Sequence, residues 1–82
     1  MDAARATGIL EAVLFVLGQP VPLKRLHELL PELEPQTLRE LLRQLGDAYA
    51  AGQHALRIQE VAGGYQLVTH EDLAPWVKQA LE

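Results

Sequence analysis

The chemistry-bearing side chains of this chain are three histidines and a group of acids around a proline. His27, His54 and His70 lie far apart, without the short spacings of a metal-binding motif. Acidic residues surround Pro31, at positions Glu28, Glu32 and Glu34. Paired carboxylates need a cleft to act as acid and base, and a chain of 82 residues has little room for one.

Nucleophiles and phosphate-binding loops are missing as well. The sequence contains no serine and no cysteine, so the common hydroxyl and thiol nucleophiles and a cysteine-based zinc site are absent. The only glycine pair, Gly63-Gly64, lies between two predicted strands, whereas a phosphate-binding loop precedes a helix. We therefore expect no enzyme, no cofactor and no bound metal.

The composition indicates one folded domain in a reducing compartment. A chain of 82 residues forms a single domain, and a hydrophobic fraction of 49% is typical of a packed core. The longest apolar run covers only residues 12–18, well short of the roughly 20 residues that span a bilayer. We expect a cytoplasmic protein without a membrane segment.

The spacing of the apolar residues predicts three helices in the first part of the chain. The first runs from about Ala3 to Leu17 and ends at Gly18, a residue that commonly follows a helix. The second is short, from Leu23 to before Pro31, and the third runs from Pro35 to about Ala51. The residues expected to face the core are Ile9, Leu10, Val13, Leu14, Leu17, Leu26, Leu29, Leu30, Leu38, Leu41, Leu42, Leu45 and Tyr49.

The second part of the chain changes from a helical period to an alternating one. Residues 56–61 and 65–69 are predicted strands, joined by a tight turn at Gly63-Gly64. Residues 69–72 resemble a capping box that begins with Thr69 and opens a fourth helix. Its apolar positions are Leu73, Trp76, Val77, Ala80 and Leu81. The order predicts an α+β, mainly helical fold, a winged helix-turn-helix with three helices, a β-hairpin wing and a C-terminal helix.

The same segments resemble a known family. An apolar helix closed by Gly18-Gln19-Pro20, a leucine-rich second helix, and a hairpin around Ala62-Gly63-Gly64-Tyr65 follow each other as in segregation and condensation protein B (ScpB). The resemblance covers nearly the whole chain. It implies the N-terminal winged-helix domain of a two-domain protein, a non-enzymatic subunit of the bacterial condensin-like complex.

The resemblance also implies partners. In this family the N-terminal domain is associated with homodimer formation, and binding of the kleisin ScpA is shared with the second domain. The SMC ATPase is reached through the kleisin. The chain is therefore expected to act in chromosome condensation and segregation, in the cytoplasm and associated with the nucleoid.

The first helix is apolar on more than one face. Ala12, Phe15 and Val16 fall outside the arc that Leu10 and Leu14 define. Two interpretations stay open: the helix is central and covered by the fourth helix, or its outer side binds a second protein. In the second case Ala12, Phe15 and Val16 form the candidate interface.

Trp76 allows the same two interpretations. Its spacing with Leu73, Val77 and Ala80 favours packing in the core of the domain. Tryptophan is also a preferred anchor of protein interfaces, so Trp76 is a further interface candidate.

The alternative function is that of a DNA-binding transcription regulator. The third helix would then enter the major groove and read bases with Arg39, Arg43 and Gln44. Glu40 and Asp47 share that surface, and the net charge of −4 opposes contact with phosphates. Direct binding of nucleic acid is therefore the less favoured prediction.

Overall fold

The computed structural model describes all 82 residues of the chain. Three helices are followed by an antiparallel hairpin, a single 3₁₀ turn and a fourth helix, in the predicted order. The elements are α1 (Ala3–Leu17), α2 (Leu23–Leu29), α3 (Pro35–Ala51), β1 (Leu56–Val61), β2 (Gly64–Thr69), the 3₁₀ turn (Glu71–Leu73) and α4 (Ala74–Leu81).

Helix α1 has well-defined signals at both ends. The carboxylate of Asp2 accepts a hydrogen bond from the backbone N–H of Arg5 at 2.8 Å, which caps the first turn. At the other end Gly18 adopts φ 62°, and its N–H bonds to the carbonyl of Leu14 at 3.2 Å. Both predicted limits of this helix are confirmed.

The core lies between α1, α2, α3 and the inner side of the hairpin. Its buried members are Ala6, Leu10, Leu14, Val21, Leu26, Leu30, Leu38, Leu41, Leu42 and Tyr65. A fully buried leucine or valine stabilises a fold by roughly 1.5–3 kcal/mol relative to an exposed one. Of the residues predicted to face the core in the first three helices, two are exposed: Leu17 is 47% exposed at the end of α1, and Leu29 is 43% exposed on α2. Ile9, Val13 and Leu45 are half-buried.

The hairpin begins its second strand one residue earlier than predicted. Val61 pairs with Gly64, so Ala62 and Gly63 form the connection and Gly64 is the first residue of β2. Gly64 has φ 133°, and a Cβ there would lie 2.2 Å from the carbonyl oxygen of Val21. Glycine is required at this position because the backbone of Val21 passes directly over it.

Val21 adds a short third strand to the hairpin. Its N–H donates to the carbonyl of Tyr65 at 2.7 Å, and the N–H of Tyr65 donates to the carbonyl of Val21 at 2.9 Å. This bridge ties the segment after α1 to β2, so that the wing is attached to the helical body by backbone hydrogen bonds.

The end of the chain differs most from the prediction. The cap is His70 rather than Thr69, since the Nδ1 atom of His70 accepts the N–H of Asp72 at 3.0 Å. A 3₁₀ turn follows, and only then α4 begins. Helix α4 has no buried residue and packs chiefly against the 3₁₀ turn, so the interpretation in which the fourth helix covers α1 is wrong.

The dimensions of the molecule agree with a helix that is not packed on the core. The radius of gyration is 13.4 Å, whereas a compact chain of this length has about 12 Å. No helix of the structure combines the length and the apolar character needed to cross a membrane.

Candidate protein-binding surfaces

The outer side of α1 is an exposed and mainly apolar surface. Phe15 is 70% exposed and Val16 is 76% exposed, and Ala12 beside them is also exposed. Two small residues extend this side towards the start of the helix, Ala4 and Gly8, and nothing lies within 4 Å of a Cβ built on Gly8. At 100° per residue these five positions span about 120°. We call them the outer face of α1.

The charged residues next to this face are turned away from it or lie at its end. The hydroxyl of Tyr49 on α3 donates to the carboxylate of Glu11, which holds that carboxylate towards α3. Burial of the Tyr49 ring and this hydrogen bond raise the pKa of Tyr49 to about 12. Arg5 is exposed and lies within the arc of the face, at its N-terminal end beside Ala4. The centre of the outer face therefore presents only apolar side chains.

The face of α4 is the second exposed apolar surface. Trp76 is 68% exposed and Leu81 is 83% exposed, and Ala80 is exposed between them. Leu73 and Val77, nearer the 3₁₀ turn, are half-buried. We call these five residues the α4 face. The prediction that Trp76 packs in the core of its own domain is wrong, because its side chain is 68% exposed and α4 packs chiefly against the 3₁₀ turn.

The outward surface of α3 is charged, and its charges are paired within the helix. The guanidinium of Arg43 contacts Glu40 through Nε at 3.0 Å and Asp47 through NH1 at 2.7 Å. The hydrogen bond from Arg43 is the main reason that the pKa of Glu40 falls to about 2, and a further bond from Gln44 acts in the same direction. The pKa of Arg43 is raised, mainly through the same hydrogen bond.

This pairing bears on the DNA alternative. Of Arg39, Arg43 and Gln44, two are already bonded to Glu40, and only the side chain of Arg39 makes neither a hydrogen bond nor an ion pair. A phosphate or a base edge would have to displace carboxylates of the same helix to reach Arg43. The outward surface of α3 would face the major groove in a DNA-binding winged helix. Its pairing within the helix therefore disfavours contact with DNA.

The histidines and acids stay apart. His54 packs its ring edge-on against Tyr49, with centroids 5.6 Å apart, and the Nδ1 atom of His70 is used as a cap. Glu28 lies 3.5 Å from Arg25 on the surface of α2. No three histidine, aspartate or glutamate side chains are placed together for a metal ion.

Comparison with known proteins identifies the family. The family model for the segregation and condensation complex subunit ScpB matches residues 8–82. The chain belongs to the ScpB family. Segregation and condensation protein B of Moorella thermoacetica is 38% identical over 72 residues, which cover 88% of this chain and 36% of that protein. The chain thus spans about a third of the length of a full ScpB relative.

Two solved structures confirm the winged-helix fold of this ScpB domain. ScpB from Mycobacterium tuberculosis superposes with a TM-score of 0.90 at 23% identity, covering 99% of this chain and half (50%) of that one. A crystal structure of a dimer of the ScpB N-terminal domain complexed with ScpA peptide has a TM-score of 0.84 at 23% identity. It covers 94% of this chain and 95% of that chain.

Part of the outer face of α1 was predicted from the sequence. Ala12, Phe15 and Val16 lie on the exposed side of α1, as predicted, while their role as an interface stays a prediction. Ala4 and Gly8 were not recognised, although their spacing of four residues from each other and from Ala12 places them on one side of a helix.

Proposed function

We propose that this chain is a non-enzymatic assembly domain of the bacterial SMC–kleisin complex, acting in chromosome condensation and segregation. It dimerises through the outer face of α1 and contributes to binding of the kleisin ScpA, which connects it to the SMC ATPase. It uses no cofactor and no small-molecule substrate, and it acts in the cytoplasm at the nucleoid.

The observation that carries this proposal is the exposed apolar side of α1. Phe15 and Val16 leave about three quarters of their surface in water although the helix already buries its other side. Burying one phenylalanine and one valine side chain stabilises an interface by roughly 3–6 kcal/mol before the costs of association. No charge at the centre of the face would be left unpaired by this burial.

The relatives support the choice of partners. One structure of the same fold is a dimer of the ScpB N-terminal domain in complex with ScpA peptide, and it covers nearly the same extent of chain. By this likeness the chain would work as the N-terminal domain of a two-domain protein, and its partners would be a second copy and the kleisin.

The proposal is tested by placing a charge on the outer face. Phe15→Asp is expected to leave the fold intact, because the side chain is 70% exposed, and to abolish self-association. Sedimentation equilibrium gives the mass, and circular dichroism checks the helices. Leu29→Asp is the matched control, since Leu29 is an exposed helical residue that lies on α2, outside both apolar faces.

The two variants separate an interface from a general effect of charge. Loss of the dimer in Phe15→Asp but not in Leu29→Asp supports the proposal. A Phe15→Asp variant that still dimerises like the unchanged chain contradicts the assignment of the outer face.

A further inference from the structure

We propose that the α4 face belongs to the same dimer interface as the outer face of α1, with Trp76 of each copy packing against Phe15 of the other. This inference rests on the proposed self-association and names the surface that each outer face binds. It gives Trp76, which is 68% exposed within its own chain, the role of an interface anchor.

The outer face of α1 is too small to hold a dimer alone. A phenylalanine that is 70% exposed offers on the order of 140 Å², and the other members of the face are a valine and three small residues. Stable interfaces bury about 800 Å² on each partner. A dimer of this chain therefore needs more apolar surface than α1 supplies.

The α4 face is the other large apolar surface that the chain exposes. Apart from Met1 at the N-terminus and Leu29 on α2, the strongly exposed large apolar side chains lie on α1 and α4: Phe15, Val16, Leu17, Trp76 and Leu81. No member of the α4 face is fully buried, and α4 packs chiefly against the 3₁₀ turn. Within one chain both faces keep their largest side chains exposed, so a second copy can supply the missing cover for both.

The two faces are complementary in size and charge. Trp76 and Leu81 are large and project from α4, while Ala4, Gly8 and Ala12 form a shallow row beside Phe15, with open space above Gly8. Large side chains of one helix pack into the gaps left by small ones on another. Arg5, at the N-terminal end of the outer face, is the only charged residue within either face. Its long side chain can keep the guanidinium in water, so packing one face on the other leaves no charge buried without a partner.

A two-fold axis makes the arrangement reciprocal. In a symmetric dimer, if Phe15 of one copy contacts Trp76 of the other, the same contact is repeated by the second pair. Each copy then contributes both faces, and the apolar area buried per copy is the sum of the two. Packing of α1 on α1 would leave Trp76 exposed in the dimer.

The test mixes two variants of the full 82-residue chain. Phe15→Asp and Trp76→Lys are each expected to weaken self-association by about 30-fold or more, as the loss of an interface anchor does. In the mixture, a heterodimer keeps one original Phe15–Trp76 contact and gains an ion pair at the other. Association is therefore expected to recover most of the loss, measured by sedimentation equilibrium.

The single tryptophan of the chain reports the contact directly. The Trp76→Lys chain has none, so the only tryptophan in the mixture is Trp76 of the Phe15→Asp chain. Its emission is expected to move to shorter wavelength, with less quenching by acrylamide, as the second chain is added. The control is the double variant Phe15→Asp, Trp76→Lys, which offers the same lysine but no Phe15, and should cause no such change.

The outcomes separate the two proposals. A monomeric unchanged chain contradicts the proposed self-association and this inference together. A dimer of the unchanged chain in which Trp76 stays exposed, or a mixture that fails to associate, overturns this inference alone. Recovery in the mixture with shielding of Trp76 supports the reciprocal contact.

Discussion

Helices α1 and α4 have similar apolar patterns and opposite environments. Helix α1 buries Ala6, Leu10 and Leu14 almost completely, while α4 buries none of its residues. The difference lies in what surrounds them, since α3 and β2 pack against α1 and only the 3₁₀ turn packs closely against α4. A helical period thus identifies an apolar face but does not tell whether the same chain covers it.

The largest expected effect comes from making the same leucine-to-alanine substitution in each of the two helices. Leu14 is 0% exposed and Leu81 is 83% exposed. Leu14→Ala is expected to destabilise the monomer by about 2–5 kcal/mol, because it leaves a cavity in the core. Leu81→Ala should change the free energy of unfolding by less than about 0.5 kcal/mol. Urea denaturation at low chain concentration measures both.

Equal costs for the two leucine substitutions would contradict the comparison. A large loss in Leu81→Ala would mean that α4 packs on its own domain in solution. Its face would then be unavailable to a second copy.

The next effect is expected where the wing joins the helical body. Gly64→Ala would cost about 1–3 kcal/mol for the positive φ alone. Its Cβ would also lie 2.2 Å from the carbonyl oxygen of Val21, so the backbone at Val21 would have to move. Gly63→Ala is the control, because its Cβ would meet only Pro20, at 3.6 Å. In thermal unfolding, Gly64→Ala should lower the melting temperature more than Gly63→Ala does. If both behave alike, the bridge from Val21 to Tyr65 does not fix the hairpin.

The smallest effect concerns the charged surface of α3, which contrasts with the apolar surface of α1. The pKa of Glu40 is expected at about 2, and Arg43→Ala should return it towards 4.5. Because the pKa is lowered in the folded chain, the contribution of this ion pair is complete above pH 4.5 and disappears as the pH falls through about 2. Carboxyl chemical shifts measured by NMR follow the titration.

A normal pKa for Glu40 in the unchanged chain would contradict the pairing with Arg43. Arg43 would then keep only its contact with Asp47, and the DNA alternative would regain support.

Most of the fold could be predicted because its signals are local. The limits of α1 and α3 follow from helical periods that end at Gly18 and begin at Pro35, and β1 follows from alternation. The start of β2 was missed by one residue. Its position depends on the approach of Val21 to Gly64, a contact across 43 positions of sequence that no local pattern contains.

The candidate site was only partly predictable for the same reason. Phe15 and Val16 were placed outside the core because the buried arc of α1 was already complete without them. The core assignment of Trp76 failed because its spacing is that of a packed helix, while α4 packs chiefly against the 3₁₀ turn and leaves Trp76 68% exposed. Whether the apolar face of a helix is exposed depends on tertiary contacts, and the spacing of its apolar residues does not determine these contacts.

The central claim is that this domain associates with itself through its exposed apolar helices. The most direct test is the mass of the unchanged chain by sedimentation equilibrium over a wide concentration range. The monomer has a mass of 9.1 kDa. We predict a concentration-dependent rise to twice that value. A mass that stays at 9.1 kDa at the highest concentration would contradict the account.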